Sequence, residues 1–517
     1  MEKMEMEGDV KAAKPKKEDH RIRNTLADFG SNTTAHGFAR VVAADSKILK
    51  FLWVLVCCLC WGVFIWQAID FIEKYFRFEV TYSISVDFRE LPFPAVTVCN
   101  MNPLRQSELD EIDDKYKEKL GFLNFEQRTE NETDEEFDWA APAVTQQILN
   151  VSGEGEEEES FEDFYDLDHV QGLNLSAIMS QLPGELRARI GHQKEDLIQE
   201  CSVNGVKCSS KNFTLVLNPK YGNCYSFNTG ANDTGIIRTS KPGPSTGLRL
   251  TLFIEQDEYL DDITENAGAV VLVHPPDNVP FPEEQGLELP PGFSTSLGVR
   301  LSIIQRVGGK YSDCFKGDEK PLLYEGYNYS VEACVKTCHQ KNLIEECQCY
   351  DTTLPNDDLT ILPCVDKEKG ITCMNEVAEK QKIDALGCRK NCHQPCRGRS
   401  YKETLSMSQW PSDAYDNKLY KRLSEKSRKI TEQLLSVEES RRNLIKLKVY
   451  FSELNFESIT EKPAFGRIDL LSSLGGLMGL YIGASVISLF EFLEFVGKVC
   501  CLIPKKRNVL DDANTKA

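Results

Sequence analysis

The last long hydrophobic run of the chain contains small and hydroxyl-bearing residues that a simple membrane anchor does not need. It has 21 uncharged residues, from Leu470 to Phe490. Its serines and glycines are Ser472, Ser473, Gly475, Gly476, Gly479, Gly483, Ser485 and Ser488. Gly475, Gly479 and Gly483 recur every four residues, so they share one helix face and allow a neighbouring helix to approach closely. Helix packing alone is therefore one explanation of this pattern.

The carboxylates that follow the run suggest a second explanation, an ion path. Glu491 and Glu494 come directly after it. Ionisable groups near a membrane boundary usually face a bundle interior or water, and they often mark such a path. Repeated around a symmetry axis, these side chains would form acidic rings that concentrate cations. Because one copy of the chain has too few helices to enclose a pore, this interpretation requires an oligomer.

The chain has two runs long enough to cross a bilayer. The first has 19 uncharged residues, from Phe51 to Ile69, which roughly match a hydrocarbon core of ~30 Å. A buried core helix is the alternative for each run, but uncharged stretches of this length are uncommon in soluble domains. The predicted segments are a cytoplasmic N-terminus at 1–47, a first span at 48–72, an extracellular domain at 73–460, a second span at 466–497 and a cytoplasmic C-terminus at 498–517.

Cysteines and glycosylation sequons indicate which side of the membrane the large loop occupies. Of the 19 cysteines, 14 lie in this loop, an even number suited to seven disulfides in an oxidising compartment. Predicted glycans at six sequons of the same loop would be attached to Asn131, Asn150, Asn174, Asn212, Asn232 and Asn328. Both termini are therefore predicted to be cytoplasmic and the protein to lie in the plasma membrane. The cysteines in or beside the spans are Cys57, Cys58, Cys60, Cys500 and Cys501.

Composition argues against several classes of function. With 80 acidic and 60 basic side chains the net charge is −20, whereas nucleic acid binding needs clustered Lys and Arg. No Gly-x-Ser-x-Gly, His-Glu-x-x-His or phosphate-loop pattern is present, so we predict no enzyme, cofactor or bound metal. Residues 126–170 hold 16 acidic residues and one basic residue. This segment is either a solvated, glycosylated insertion or an electrostatic attractor for a cationic ligand.

The extracellular loop is predicted to be a mixed α/β domain. Strand-like patterns at 212–217, 248–255, 269–274, 296–306 and 444–456 could form one central sheet. Helical periodicity is found at 175–200, 331–341 and 413–435. The last predicted strand ends shortly before the second span, a connection short enough to transmit force.

Cysteine spacing suggests a disulfide ladder. The pair Cys334 and Cys338 and the set Cys388, Cys392 and Cys396 each repeat every four residues, so their sulfurs can lie along one helix face or at intervals along a strand. Each disulfide would contribute about 2–4 kcal/mol. Zinc is the alternative, although no Cys-x-x-Cys pair with the usual zinc spacing is present. The candidate zinc ligands are His339, Cys347, Cys349 and His393.

Five motifs lie along the chain between His36 and about Val496. They are His36-Gly37, FPAVTVC at 93–99, GNCYSFN at 222–228, the cysteine-rich block and GGLMGLYIGAS at 475–485. Over this length the chain resembles the degenerin and epithelial sodium channel superfamily, which includes acid-sensing and neuropeptide-gated channels, and it looks most like an invertebrate peptide-gated member. Together these motifs are highly specific, whereas the His-Gly pair alone is not.

The resemblance implies a trimer, either a homotrimer or a heterotrimer with related subunits. Each subunit would have two spans and a hand-shaped, disulfide-rich ectodomain. The second span would be broken where small residues let backbone carbonyls and a hydroxyl replace the water around permeant Na⁺. The implied residues are Gly483, Ala484 and Ser485 in the selectivity filter, His36, Gly37, Glu491 and Glu494 in the lower pore, and Ser472, Ser473 and Gly476 in the gate and amiloride-binding region.

The same resemblance pairs the loop cysteines. The implied bridges are Cys99–Cys224, Cys201–Cys208, Cys314–Cys396, Cys334–Cys392, Cys338–Cys388, Cys347–Cys373 and Cys349–Cys364. Tyr311 stands where acid-sensing members have a Trp that couples the ectodomain to the first span. This departure makes that coupling contact a weaker expectation.

The stimulus is less well indicated than the pore. Acid-sensing members carry a His where this chain has Glu79, and their pair of thumb aspartates falls on Asn375 and Glu379. The acidic segment 126–170 suits a basic peptide instead, so we expect opening by an extracellular FMRFamide-like neuropeptide. Proton gating and constitutive or mechanical gating are the alternatives.

Functions of other classes fit the sequence less well. A two-pass adhesion receptor or disulfide-rich scaffold would use the glycines for packing alone, and it would tolerate Gly483→Ala or Ser485→Ala without electrical consequence. Trimeric ATP-gated channels share two spans and a cysteine-rich loop. They need basic residues for phosphate, which the acidic ectodomain does not favour.

Overall fold

A computed structural model describes residues 16–111 and 184–502 apart from short gaps, together with residues 179 and 182. The gaps are 231–234, 261–263, 317–322, 325, 357–359, 365–366 and 368. The acidic segment 126–170 and the sequons at Asn131, Asn150, Asn174 and Asn232 lie outside the described residues. The other two sequon asparagines, Asn212 and Asn328, are exposed. The chain divides into two compact units, residues 1–81 with 462–517 and residues 82–461.

Helices and strands of the described residues are numbered here in chain order. The helices are α1 (Lys16–Asn32), α2 (Phe38–Ala43), α3 (Lys47–Phe76), α4 (Gly184–Ile190), α5 (Lys194–Leu197), α6 (Pro282–Gln285), α7 (Val331–Cys347), α8 (Gly370–Lys382), α9 (Cys388–Asn391), α10 (Asp413–Ser424), α11 (Arg428–Gln433), α12 (Val437–Asn443), α13 (Arg467–Leu477) and α14 (Val486–Leu502). The strands are β1 (Val80–Phe88), β2 (Leu91–Pro92), β3 (Ala95–Asn100), β4 (Ile198–Val203), β5 (Val206–Cys208), β6 (Phe213–Asn218), β7 (Gly222–Phe227), β8 (Arg238–Thr239), β9 (Leu248–Phe253), β10 (Ala269–His274), β11 (Leu287–Leu289), β12 (Phe293–Gln305), β13 (Cys314–Phe315), β14 (Gln394–Pro395), β15 (Arg397–Gln409), β16 (Leu444–Phe451) and β17 (Asn455–Pro463).

Among the described residues, α3 is the one unbroken helix that is long and apolar enough to cross a membrane by itself. Its 30 residues extend roughly 45 Å at about 1.5 Å per residue. None of them is buried, and Trp66 is 71% exposed. A helix that is apolar on all sides and has few protein neighbours is typical of a segment surrounded by lipid. It covers the first span predicted at 48–72.

The second hydrophobic run forms two helices rather than one. Helices α13 and α14 are bent by 73° at a short break, and they count as a second span only if both halves belong to one broken span. A π-helical turn, Met478–Ile482, follows α13. Interrupting a helix leaves backbone groups without their usual partners, so the break needs other groups to satisfy them.

Strand β12 is the centre of the larger sheet of the second unit. The sheet order is β1-β17-β12-β16-β9-β4-β5, with β15 paired to β12 outside this path. Along its whole length β12 pairs antiparallel with β15, and it pairs in parallel first with β16 and then with β17. Its alternate residues Leu297, Val299 and Leu301 are buried in the main core. This alternation is expected of a sheet with one face on the core.

The prediction of a single strand at 444–456 is wrong, because these residues form β16 and the start of β17 with a turn between them. From Ile445 to Phe451 the buried side chains fall on odd positions, whereas Leu454 and Phe456 are buried at even positions. Such a change of phase would turn the apolar face of a continuous strand away from the core. The chain turns at residues 452–454 instead, and the second strand joins β12 lower down.

Two motifs of the resemblance are central strands of a second sheet. Its order is β11-β10-β3-β7-β6, so the single central sheet predicted from sequence is also wrong. Every residue of β3, β7 and β10 is buried. Cys99 and Cys224 lie opposite each other in the β3–β7 pair. These motifs therefore specify the core of the ectodomain.

The helical predictions differ from the structure at their ends. Residues 198–200, predicted as helix, begin β4, which pairs with β9. The predicted helix at 413–435 is divided into α10 and α11. Helix α7 extends beyond 341 to Cys347, and it is capped at its N-terminus by Ser330, whose hydroxyl accepts a hydrogen bond from the Ala333 amide.

The structure contains seven disulfides, each between cysteines that the resemblance pairs. They are Cys99–Cys224, Cys201–Cys208, Cys314–Cys396, Cys334–Cys392, Cys338–Cys388, Cys347–Cys373 and Cys349–Cys364. The sulfurs of Cys347 and Cys349 are therefore not available to zinc. Within the described residues, no group of three or more His, Cys, Asp or Glu is placed to hold a metal. The free cysteines of this part of the chain are Cys57, Cys58, Cys60 and Cys500.

Removing the Cys99–Cys224 bridge should destabilise the ectodomain more than removing Cys201–Cys208. The first closes a separation of 125 residues and the second one of 7. Loop entropy predicts costs of about 5 and about 2 kcal/mol respectively. We expect the double alanine variant at 99 and 224 to show the larger loss of melting temperature in detergent-solubilised protein. The variant at 201 and 208 is the matched control, and equal losses would contradict the expectation.

Candidate functional site

The break between α13 and α14 has a defined geometry. Gly483 has φ 65°, a left-handed conformation that glycine adopts without a steric cost. The amide of Gly483 donates to the carbonyl of Met478, which closes the π-helical turn, and the amide of Ala484 donates to the same carbonyl at 3.1 Å. Ser485 and Ser488 then bond reciprocally, each amide donating to the other hydroxyl at 3.0 Å and 3.4 Å. This exchange resembles a capping box and starts α14.

The His-Gly motif lies against this break. The His36 amide donates to the carbonyl of Ile482 at 2.7 Å. A Cβ at Gly483 would lie only 2.2 Å from Cγ and from Nδ1 of the His36 ring. Close approach of the ring and the left-handed backbone therefore both require glycine at 483. Predicted filter residues and a predicted lower-pore residue are thus brought together, although they are far apart in sequence.

Gly37 is constrained by a different neighbour. It has φ 91°, and an added Cβ would lie 2.5 Å from Sγ of Cys57 in α3. Gly37 thus lets the segment between α1 and α2 turn while it passes close to the first predicted span. The sequence did not suggest a role for Cys57 at this contact.

A polar cluster joins the segment before His36 to α14. The Glu491 carboxylate accepts from the Thr33 hydroxyl at 3.0 Å, from the Thr34 amide at 2.9 Å and from the Thr34 hydroxyl at 3.2 Å. The hydroxyls of Thr34 and Ser488 are 2.6 Å apart. Ser488 is buried, being 8% exposed, in a helix whose other described residues are mostly exposed. Sequence analysis assigned no role to the two threonines.

Glu494 has a different partner from Glu491. Its carboxylate pairs with the Lys498 ammonium at 2.7 Å, one helical turn further along α14. Both side chains line a cavity of about 280 Å³ between α1 and α14, which Asp28 and Asn32 line from the other side. Phe29 and Phe495 stack next to it with their ring centroids 4.5 Å apart. Within this unit, α1 therefore packs on the end of α14 that carries the carboxylates.

The predicted gate residues lie on α13, roughly two to three turns before the break. Ser472 and Gly476 are exposed and Ser473 is half-buried. A Cβ added at Gly475, Gly476 or Gly479 would meet nothing within 4 Å. The glycine face of α13 is thus open in a single chain.

A charged cluster in the core of the ectodomain was not predicted from the sequence. Glu255 is fully buried, and its carboxylate lies 3.0 Å from Nδ1 of His192 and 2.7 Å from Nζ of Lys429. Nε2 of His192 is 3.0 Å from the Asn102 amide nitrogen. Burial raises the pKa of Glu255, but the hydrogen bonds and charges of His192 and Lys429 outweigh it and leave the pKa below 4.5, its ordinary value. The carboxylate is therefore ionised and paired.

Two other histidines of the ectodomain are poorly suited to sensing mild acid. Burial lowers the pKa of His274 to about 4, where its ring nitrogen bonds Thr97 at 2.8 Å. Burial also lowers the pKa of His339. Their charge would change only under stronger acid than a sensor near neutral pH needs.

Comparison with known proteins identifies the family. A family model described as amiloride-sensitive sodium channel matches residues 29–495. The chain is 29% identical to the epithelial sodium channel subunit gamma of Pelodiscus sinensis and 30% identical to subunit alpha of Neoceratodus forsteri, with 90% of this chain and 78% of each relative covered. It is 28% identical to subunit beta-2 of Xenopus laevis over 92% of this chain and 83% of the relative.

These matches agree with the fold and the motifs described above. The disulfide-rich α/β domain and the broken hydrophobic segment both lie inside the matched residues. The names of these three relatives mention neither a peptide nor protons. The protein is thus a sodium channel that belongs to the amiloride-sensitive sodium channel family, within the degenerin and epithelial sodium channel superfamily.

Proposed function

We propose that three copies of the chain form a sodium-selective, amiloride-sensitive pore in the plasma membrane, with Gly483, Ala484 and Ser485 at its narrowest part. The observation that carries this proposal is the break between α13 and α14, where the His36 amide donates a hydrogen bond to the Ile482 carbonyl. Irregular backbone at membrane depth is stable where it is buried in protein or lines water. Small residues there let carbonyl and hydroxyl oxygens replace the hydration shell of an ion.

An oligomer follows from the number of helices. The described residues of one chain supply at most two spans, which cannot surround a water path. The open glycine face of α13 supports a close neighbour, because small residues let helices approach. The relatives are named as subunits alpha, beta-2 and gamma, so the partner is either a second copy of this chain or a related subunit.

The remaining pore residues take their roles from this arrangement. With both termini in the cytoplasm, His36 and Gly37 lie below the filter and contribute to the lower pore. Ser472, Ser473 and Gly476 lie above it, in the region of the gate and of amiloride block. Na⁺ is then the permeant ion, and the pore needs no cofactor.

An extracellular basic peptide of the FMRFamide type is the proposed agonist. Its support is the sequence of residues 126–170, whose negative charge would concentrate a cationic ligand. Proton gating has less support, since Glu379 pairs with Lys382 on an exposed helix surface and Asn375 carries no charge. Channel activity without any agonist is the other alternative.

Currents recorded from oocytes injected with messenger RNA for this protein test these proposals. We expect an inward sodium current that is blocked by amiloride and that starts when an Arg-Phe-amide peptide is applied. Silence to peptides with a current at low pH would favour proton gating, and an amiloride-sensitive current without stimulus would favour constitutive opening. Surface expression without amiloride-sensitive current under any stimulus would contradict the pore and favour a receptor or scaffold.

A further inference from the structure

Glu491 is the most heavily bonded carboxylate of the described membrane-type helices. One of its oxygens, Oε2, accepts all three hydrogen bonds from Thr33 and Thr34. Thr34 lies two residues beyond the end of α1 at Asn32, and its amide donates to the Glu491 carboxylate, whereas the Thr33 amide still donates to the Phe29 carbonyl of that helix. A carboxylate is a strong acceptor for such a donor, because the bond is charge-assisted.

Ser488 extends this contact towards the break. Ser485 directly precedes α14, and Ser488 and Glu491 follow at intervals of three residues, so each is a neighbour of the next on the helix surface. The Ser488 hydroxyl accepts a hydrogen bond from the Ser485 amide at 3.0 Å and lies 2.6 Å from the Thr34 hydroxyl. A single chain of polar contacts thus leads from the predicted filter to Glu491.

Residues 33–37 also contact the part of the broken helix that precedes the break. The His36 amide donates a hydrogen bond to the carbonyl of Ile482, the last residue of the π-helical turn. Thr33 and Thr34 bond α14 instead. Residues 33–37 therefore bridge the break and tie the half before it to the half after it.

We propose that Glu491 is a positioning residue that fixes residues 33–37 across the break and thereby holds Gly483, Ala484 and Ser485 in the conducting geometry. The inference rests on the proposed sodium pore, and for Glu491 it is an alternative to the predicted acidic ring. An oxygen that accepts three hydrogen bonds from its own chain is a poor candidate for a charge that faces passing ions. Glu491 acts through Thr33, Thr34 and Ser488 rather than by contact with Na⁺.

The two roles predict different behaviour of sodium over potassium selectivity. A ring charge would set unit conductance, so Glu491→Gln and Glu491→Ala would reduce conductance alike and leave selectivity intact. An anchor would set selectivity, and Glu491→Gln would retain more of it than Glu491→Ala because the amide oxygen can still accept the Thr34 amide. Removing the two threonine hydroxyls would matter only for an anchor.

Reversal potentials of the full-length channel under bi-ionic sodium and potassium conditions decide between them. We expect Glu491→Ala to reduce the permeability ratio about tenfold, which corresponds to about 1.4 kcal/mol. The double variant Thr33→Val/Thr34→Val should give a smaller loss, because the Thr34 amide remains. Combining it with Glu491→Ala should add little, since both changes break one set of contacts.

Ser31→Ala is the matched control for loss of a hydroxyl. The Ser31 hydroxyl donates to the carbonyl of Asp28 in its own helix, so its removal should leave the permeability ratio unchanged. Full selectivity in Glu491→Ala, or losses that add in the combined variant, would overturn the anchor while the proposed pore stands. A wild-type protein at the cell surface that passes no sodium would instead refute the pore, and with it the inference.

Discussion

Replacing Gly483 with alanine should reduce the amiloride-sensitive sodium current at least about tenfold, a change of about 1.4 kcal/mol or more. The φ of 65° alone costs an L-residue about 1–2 kcal/mol. In addition, the new Cβ would lie 2.2 Å from two atoms of the His36 ring, a distance at which atoms cannot coexist. Either the ring or the break must therefore move. Whole-cell currents normalised to surface biotinylation measure the effect.

Gly62→Ala is the control for this prediction. Gly62 lies within α3, and an added Cβ there would meet nothing within 4 Å. Alanine is also the better helix former by about 1 kcal/mol, so the current should be unchanged. His36→Ala offers a further check, because Gly483→Ala should cost less in that background than in the wild type. A current of wild-type size from Gly483→Ala would contradict the close contact described between His36 and Gly483.

Local patterns predicted those parts of the fold in which one short-range signal dominates. Strand β10 has the predicted bounds, because its run of five apolar residues and His274 lie between Gly268 and Pro275. The predicted helix at 175–200 extends into the first three residues of β4, since the pairing of this strand with β9 is a long-range contact. The division of residues 444–456 into two strands coincides with a shift of their apolar residues from odd to even positions. Cysteine pairing came from the family resemblance, since spacing alone left several connectivities open.

Sequence patterns and the family resemblance pointed to residues of the candidate site, but not to the contacts between them. Resemblance pointed to His36 and Gly483, and polarity near the membrane boundary pointed to Glu491. Thr33 and Glu491 are 458 residues apart, and no periodicity or charge pattern relates them. A contact of this kind depends on how α1, α2 and α14 pack, which the sequence does not specify locally. The predicted acidic ring of Glu491 and Glu494 stays a prediction, and the hydrogen bonds from Thr33 and Thr34 support an alternative role for Glu491.

Replacing Glu255 with alanine should destabilise the ectodomain by about 3–5 kcal/mol, the usual effect of breaking a buried ion pair from one side. The carboxylate is completely buried and bonds both His192 and Lys429. Its removal would leave Nδ1 of the buried His192 without its acceptor, and Nζ of Lys429 with only the longer contacts to Asp196 at 3.8 Å and Glu258 at 4.0 Å. Thermal unfolding of detergent-solubilised protein should show the loss as a large decrease in melting temperature. Glu453→Ala is the control, because its pair with Arg300 is 40–60% exposed and should contribute at most about 1 kcal/mol.

The pH dependence provides an independent test of the same cluster, with Glu255→Gln as the variant. Because the folded pKa of Glu255 lies below its ordinary value of 4.5, ionisation of this carboxylate favours the folded state. That contribution is complete above about pH 4.5 and is lost as the pH falls through the lower folded pKa. The stability difference between wild type and Glu255→Gln should therefore stay constant from neutral pH down to about 4.5 and shrink below it. A difference that grew with increasing acidity would mean that the carboxylate is protonated in the folded protein, contrary to its contacts with His192 and Lys429.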